Sequence, residues 1–259
     1  MPELPDVEIF RKTIDKKAVH HVIEDFIIDI ESIFKSPVKQ LEDFKGHRAS
    51  SSRRIGKYCF LKSGNAGWLV FHFGMTGYVE YFEKEEDKPE YAAFTLVLKG
   101  KGKLSYITKR KLGKVEICKN PDIYARDNNL GIDALECNKA EFLKLLGRKK
   151  GSVKSALMDQ SLISGIGNIY SDEILFQAKV HPKASLKDMS EKKRELIYKK
   201  MKEVLKKAIE KDAVPDRFPE NYLLRSREEG KACPVCNSKI RKIIVSGRST
   251  YYCPSCQKK

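Results

Sequence analysis

Residues 233–256 read CPVCNSKIRKIIVSGRSTYYCPSC, two Cys-x-x-Cys pairs, Cys233/Cys236 and Cys253/Cys256, separated by sixteen residues. Two residues between the cysteines of a pair let both thiolates reach one ion, and two such pairs complete a closed tetrahedral zinc site. A redox pair of the thioredoxin kind occurs once and on a βαβ scaffold, so doubled pairs favour one structural zinc. Between the pairs, Lys239 to Val245 and Gly247 to Tyr252 read as a β-hairpin. With four thiolates the ion has no open position, so its work is to hold the hairpin rigid. Arg248, between Gly247 and Ser249, stands at the tip as a donor suited to a phosphate. The other cysteines, Cys59, Cys118 and Cys137, are scattered among apolar or mixed neighbours and read as packing residues.

Upstream of this segment the pattern is helical. Glu141 to Leu146, Val153 to Gln160 and Asn168 to Ala178 read as helices, and Ser190 caps a longer one. In that last helix Ile197, Met201, Val204, Leu205 and Ala208 form a core stripe. The segment from Asp159 to Glu173 joins two helices through a turn containing Gly165 and Gly167, where bare amides admit a phosphate. Asn168 either caps the following helix or turns its amide to that phosphate. The stretch from Asp212 to Glu229 is less regular.

The first 130 residues alternate as strands: Val22 to Ile30, Tyr58 to Leu61, Trp68 to Phe73, Tyr78 to Phe82, Phe94 to Leu98 and Lys114 to Ile117. The charged run Glu83 to Glu90 reads as a solvated hairpin loop. One helix precedes the strands, with Pro5 in its first turn, Asp6 and Glu8 at its positive end, and Val7, Phe10 and Ile14 at helical spacing. The expected fold class is therefore α+β: a β-rich, sandwich-like domain over 1–130, a helical domain over 131–228 and a zinc ribbon over 229–259.

Composition narrows the partner. The chain has 259 residues, 41% of them hydrophobic, with 51 Lys and Arg against 35 Asp and Glu, a formal charge of +16. Such an excess favours a polyanion, because each neutralised phosphate releases condensed counterions. No apolar run approaches the length of a membrane span, and the first residues have no secretory pattern, so a cytoplasmic protein without membrane attachment is expected.

With these residues in view, the sequence resembles the formamidopyrimidine-DNA glycosylase and endonuclease VIII family along nearly its whole length. Met1-Pro2-Glu3-Leu4-Pro5-Asp6 is similar to the family's opening, with Asp6 one methylene shorter than the family's glutamate. Gly165-Ile166-Gly167-Asn168-Ile169-Tyr170 resembles its helix–two-turn–helix motif, and Gly247-Arg248 with Cys253-Pro254-Ser255-Cys256-Gln257 its zinc finger. Arg54-Ile55-Gly56-Lys57-Tyr58 is similar to the hairpin bearing a phosphate-binding lysine. His72-Phe73-Gly74-Met75-Thr76-Gly77 resembles the loop whose methionine fills the space of an extruded nucleotide. Lys109-Arg110-Lys111-Leu112-Gly113 resembles the loop that addresses the opposite strand, with Leu112 in place of a phenylalanine.

The resemblance implies a monomeric repair glycosylase with abasic-site lyase activity, acting on duplex DNA with a damaged base or abasic site. Its catalytic group would be Pro2, Glu3 and Lys57, and its DNA contacts Met75, Arg110, Leu112, Asn168 and Arg248. The Pro2 amine, exposed once Met1 is removed, would attack the sugar and form an iminium, with Glu3 as general acid–base. Between the last long helix and Cys233 the chain is short, which points away from 8-oxoguanine toward ring-opened purines, hydantoins or oxidised pyrimidines. The competing readings are a catalytically silent zinc-containing damaged-DNA-binding protein and, more remotely, an RNA-binding protein.

Overall fold

The computed structural model describes residues 1–258, and the chain divides into two compact units, the first Met1–Asn128 and the second beginning at Asn129. The first unit opens with α1 (Leu4–Ala18), followed by β1 (Ile23–Ile28), β2 (Ala49–Ile55), β3 (Tyr58–Ser63), β4 (Gly67–His72), β5 (Tyr78–Phe82), β6 (Ala92–Leu98), β7 (Lys103–Ile107) and β8 (Lys114–Cys118). A short α2 (Pro121–Asp127) closes it. Two four-stranded antiparallel sheets result, one ordered β1-β6-β7-β5 and the other β2-β3-β4-β8.

Their inward residues make one core. Phe94 and Leu96 of β6, Leu104 and Tyr106 of β7, Leu61 of β3 and Phe71 of β4 are all buried in it. α1 lays Val7, Ile14 and Ala18 on the same core and packs Phe10 against Phe73, ring centroids 4.8 Å apart. Pro5 sits in the first turn of α1, and Lys16 and Lys17 in its last, as the helix dipole favours.

Unit 2 contains β9 (Ile132–Asp133), α3 (Lys139–Arg148), α4 (Val153–Met158), β10 (Ile163–Ser164), α5 (Asn168–Gln177), α6 (Glu191–Glu210), β11 (Arg241–Val245) and β12 (Arg248–Tyr252). The Ser190 hydroxyl accepts from the Lys193 amide to cap α6, and the stripe from Ile197 to Ala208 is buried. β11 and β12 form the expected hairpin, with Val245 opposite Arg248. Ser246 (φ 48°) and Gly247 (φ 72°) make its two-residue turn, both in the left-handed region that such a turn requires.

Five elements fall outside the sequence expectations: β2, β7, α2 and the two-residue strands β9 and β10. The α4 helix ends at Met158 rather than Gln160, because the chain turns there to let the Asp159 carboxylate accept from the Ser161 amide. Among the described residues no helix is long and apolar enough to cross a membrane.

Candidate functional site

In the first unit the N-terminus, α1 and the β2–β3 turn are fastened together. Glu3 is buried, and its backbone N–H donates to the Asp6 carboxylate at 2.8 Å, so the shorter acid closes the N-terminal turn of α1. Burial raises the Asp6 pKa, and that shift is opposed by the Glu3 amide and by the positive charges of the N-terminus and Lys57. Pro2 is half-buried beside Glu3.

Lys57 is on the tight turn between β2 and β3, and it is buried rather than solvated. Arg54 supports that turn from below, donating to the Gly56 carbonyl at 3.1 Å and to Glu8 of α1 at 3.0 Å. The Glu8–Arg54 pair thus ties the lysine-bearing turn to the helix that starts at Leu4. His72, at the end of β4, packs against Tyr58 with ring centroids 4.7 Å apart and the planes tilted by 34°. Its pKa falls to about 4, first through burial and then through the charges of Lys114 and Lys57, so its imidazole is neutral near pH 7. Nothing in the sequence pointed to a role for His72; only the fold brings it under the charge of a lysine fifteen positions away.

Met75 and Leu112 lie on two separate loops that touch backbone to backbone. Gly74 (φ 57°) sits where an added Cβ would come 2.5 Å from the Leu112 carbonyl carbon, so a larger residue would push the loops apart. The Arg110 amide donates to the Thr76 hydroxyl at 3.3 Å, joining the loops again. Both apolar side chains are left in solvent, Met75 41% and Leu112 55% exposed, and Arg110 is exposed between them in sequence. Two large exposed apolar side chains on braced loops are unlike core filler.

In the second unit Asn168 does not cap α5. Gly167 is the N-cap, and the Asn168 side chain is held from both ends. Its Oδ1 accepts from Lys154 Nζ at 2.8 Å, and its Nδ2 donates to the Ser249 carbonyl of the zinc hairpin at 3.0 Å. This fixes the amide's orientation, and one N–H of the –NH2 group is not engaged by either bond. Gln160 braces the turn before α5: its amide nitrogen donates to the carbonyls of Met158 and Ile166, and its oxygen accepts from Gly165.

Lys154 is the residue the sequence reading missed. It is fully buried in α4 and donates also to Asp172 Oδ1 at 2.5 Å and Thr250 Oγ1 at 2.7 Å. The other oxygen of Asp172 accepts from Arg227 at 2.7 Å and from the Tyr251 amide at 3.2 Å. Burial pushes the Asp172 carboxyl up, and the two cations oppose that shift. The signal available in sequence was slight: a lysine among Val153, Ala156 and Leu157, with no carboxylate one turn away to explain it.

The four sulfurs of Cys233, Cys236, Cys253 and Cys256 lie within 4.8 Å of one another. Tetrahedral zinc with Zn–S near 2.3 Å places its sulfurs about 3.8 Å apart, and the separations of 3.4 Å (Cys236–Cys253) and 3.9 Å (Cys233–Cys256) match that spacing. The donor set fits one structural zinc ion. Cys233 and Cys253 pack with Ile240, Leu223 and Phe176 of α5, and the Gln257 side chain bonds both the Cys253 amide and the Val180 carbonyl. Arg248 is exposed at the hairpin turn.

Known proteins resemble the chain throughout. Residues 1–115 match the formamidopyrimidine-DNA glycosylase N-terminal domain, residues 130–218 its H2TH domain, and residues 230–259 a zinc finger found in FPG and IleRS. The formamidopyrimidine-DNA glycosylase of Arabidopsis thaliana is 34% identical, over all of this chain and 71% of its own length. That of Pelotomaculum thermopropionicum is 31% identical, over all of this chain and 99% of its own length. Among solved structures, the Lactococcus lactis Fpg complex with DNA containing an abasic site superposes with a TM-score of 0.88 at 27% identity, covering 99% of this chain and all of the other. The same enzyme with a Fapy-dG-containing DNA gives 0.89 at 27% identity, with the same coverage.

Proposed function

The chain belongs to the formamidopyrimidine-DNA glycosylase family, and from that premise we propose that it excises oxidised bases from duplex DNA and then cuts the strand as an abasic-site lyase. The observation that carries this reading is the N-terminal cluster: Pro2 beside buried Glu3, whose amide is held by Asp6, with the charges of the N-terminus and of Lys57 both felt at Asp6. Removal of Met1 frees the Pro2 nitrogen as a secondary amine. An α-amino group titrates near pKa ~8, so a useful fraction carries its lone pair at neutral pH.

That lone pair attacks C1′ of the damaged nucleotide, and the bond to the base breaks with its electrons leaving on the base. Glu3 protonates the sugar ring oxygen as the ring opens, leaving an iminium on Pro2. The iminium draws electrons from C2′ after proton loss, expelling the 3′ phosphate and then the 5′ phosphate. Lys57 and Arg248 bind phosphates, as do Asn168 and the positive N-terminal end of α5. Met75 and Leu112 fill the space of the extruded nucleotide, with Arg110 addressing the opposite strand. The protein works as a monomer in the cytoplasm, on the DNA.

The segment between α6 and Cys233 supports a lesion preference away from 8-oxoguanine. The Leu224 amide donates to Glu173 at 2.8 Å, Arg227 pairs with Asp172, and Phe218 and Leu223 are buried. A stretch so anchored serves poorly as a cover over a flipped purine, which favours ring-opened purines, hydantoins or oxidised pyrimidines.

Borohydride reduction in the presence of abasic-site DNA tests the reading. Protein verified to begin at Pro2 should form a covalent adduct, and protein that retains Met1 should not. No adduct from verified Pro2 protein that still binds the DNA would leave a catalytically silent binder as the correct account.

A further inference from the structure

Beside the two wedge loops lies a cleft of about 500 Å³, lined by Thr76, Tyr78, Glu80, Tyr91, Ile107 and Lys109 among others. That volume is within the ~300–1,000 Å³ of small-ligand sites. Thr76 follows Met75 in sequence and Lys109 precedes Arg110, so the cleft opens along both loops. Its wall residues stand on a regular frame. Tyr78 of β5 is paired with Ile107 of β7, and Ile107 is paired on its other side with Ala92 of β6, next to Tyr91. β5, which bears Tyr78, and β6, which Tyr91 immediately precedes, thus flank β7, about 9.6 Å apart at two strand spacings. A planar ring stacked between two others needs about 7 Å, two van der Waals contacts of ~3.5 Å.

Neither tyrosine is spent on the core: Tyr78 is 39% and Tyr91 42% exposed, while Ile107 beneath is buried. Tyr91 is held at φ 64°, a left-handed backbone that is costly for a large aromatic residue and that collects at functional positions. The Lys109 ammonium lies 5.5 Å from the Tyr91 ring centroid, which steadies the ring at the rim. Glu80 and Glu90 also line the cleft, and carboxylates repel a phosphate. They accept hydrogen bonds from the amino edge of a base, as carboxylates do from cytosine.

We propose that the Tyr78–Tyr91 cleft receives an unstacked nucleobase bearing an exocyclic amino group, displaced from the duplex when the Met75 and Leu112 loops enter it. The inference rests on the reading of those loops as wedges given under Proposed function. The base comes either from the position opposite the lesion or from a flanking nucleotide, and the chemistry of the cleft is the same for both.

The test uses the full-length protein and a duplex with a tetrahydrofuran abasic analogue, carrying 2-aminopurine at the opposite position in one arm and at the flanking position in the other. Binding of the wild-type protein should quench the fluorophore in one of the two arms, which identifies the source. Tyr78→Ala and Tyr91→Ala should abolish that quench and weaken binding roughly five- to hundredfold, the range of base–aromatic stacking. Tyr78→Phe and Tyr91→Phe keep the ring faces and should keep the quench, which separates stacking from any loss of folding. Glu80→Gln with Glu90→Gln should reduce the preference for an amino-bearing base over thymine at the same position. Quenching in neither arm, or quenching unchanged by both alanine variants, overturns the cleft while DNA binding and strand cleavage remain normal. Loss of borohydride trapping by the wild-type protein overturns the glycosylase–lyase reading instead, so the two failures are distinguishable.

Discussion

Lys154 donates from inside α4 to Asn168, Asp172 and Thr250, partners 14, 18 and 96 residues away. Buried charges are costly unless paired, and breaking such a pair by removing one partner typically costs ~3–5 kcal/mol. Lys154→Met should therefore destabilise the protein by about 3 kcal/mol in urea unfolding, at the lower end because Arg227 still pairs with Asp172. It should also weaken DNA binding, since the Asn168 amide loses the donor that fixes its orientation. Lys154→Met with Asp172→Leu should recover much of the stability but not the affinity; recovery of both would reduce the network to packing. Lys57, Met75, Asn168 and Arg248 were singled out in the sequence as proposed site residues because each sits inside a short ordered motif. Lys154 was not, because a charge on an apolar helix face explains itself only through distant partners.

Elements whose own sequence decides them were equally legible. α1 and α6 announce themselves by apolar spacing, and the zinc hairpin by its paired cysteines. β2 was hidden because Ala49–Ile55 reads ASSSRRI, an edge strand without apolar alternation whose pairing with β3 supplies its structure. α2 had a readable start that went unused: Asn120 caps it with two backbone N–H bonds, and Pro121 follows. At the C-terminal half of α5, Glu173 is buried and anchors the segment from Leu223 onward. Burial raises its pKa from 4.5 to about 7. The folded carboxyl keeps its proton where the unfolded chain has lost it, so its contribution to stability is full below pH ~4.5 and is lost as pH rises through ~7. Glu173→Gln keeps an acceptor for the Leu224 amide and removes the titration. Relative to wild type, the variant should match it near pH ~4 and be more stable by up to about 3 kcal/mol near pH ~8, measured by urea unfolding at both. A constant difference across that range would rule out Glu173 as the titrating group. The zinc module shares its small core with Phe176 and Leu223, so stripping the metal reaches beyond the hairpin. Chelation should lower both the thermal midpoint and the DNA affinity, with re-addition of zinc restoring them; full affinity of verified metal-free protein would remove the hairpin from the DNA grip.

At the scale of the whole molecule the formal charge of +16 makes salt the natural probe. Phosphate contacts position without reading sequence, so Lys57→Ala and Arg248→Ala should weaken binding to damaged and undamaged duplexes alike. Each should also reduce the slope of log K against log salt by about one. Asn168→Ala, losing no charge, should cost affinity with the slope nearly unchanged. An unchanged slope for Arg248→Ala would show that the hairpin turn does not touch a phosphate. The chain also passes from one compact unit to the next across an exposed stretch, Arg126 to Asn129. Lys57 and Met75 belong to the first unit, Asn168 and Arg248 to the second. While that stretch is intact, a unit bound to DNA meets the other at an effective concentration on the order of millimolar, whatever the concentration of the protein. A protease site inserted between Asn128 and Asn129, once cut, should therefore turn a grip that survives dilution into one that is second order in the two fragments: strand cleavage kept at micromolar protein and lost at nanomolar, where the uncut chain still works.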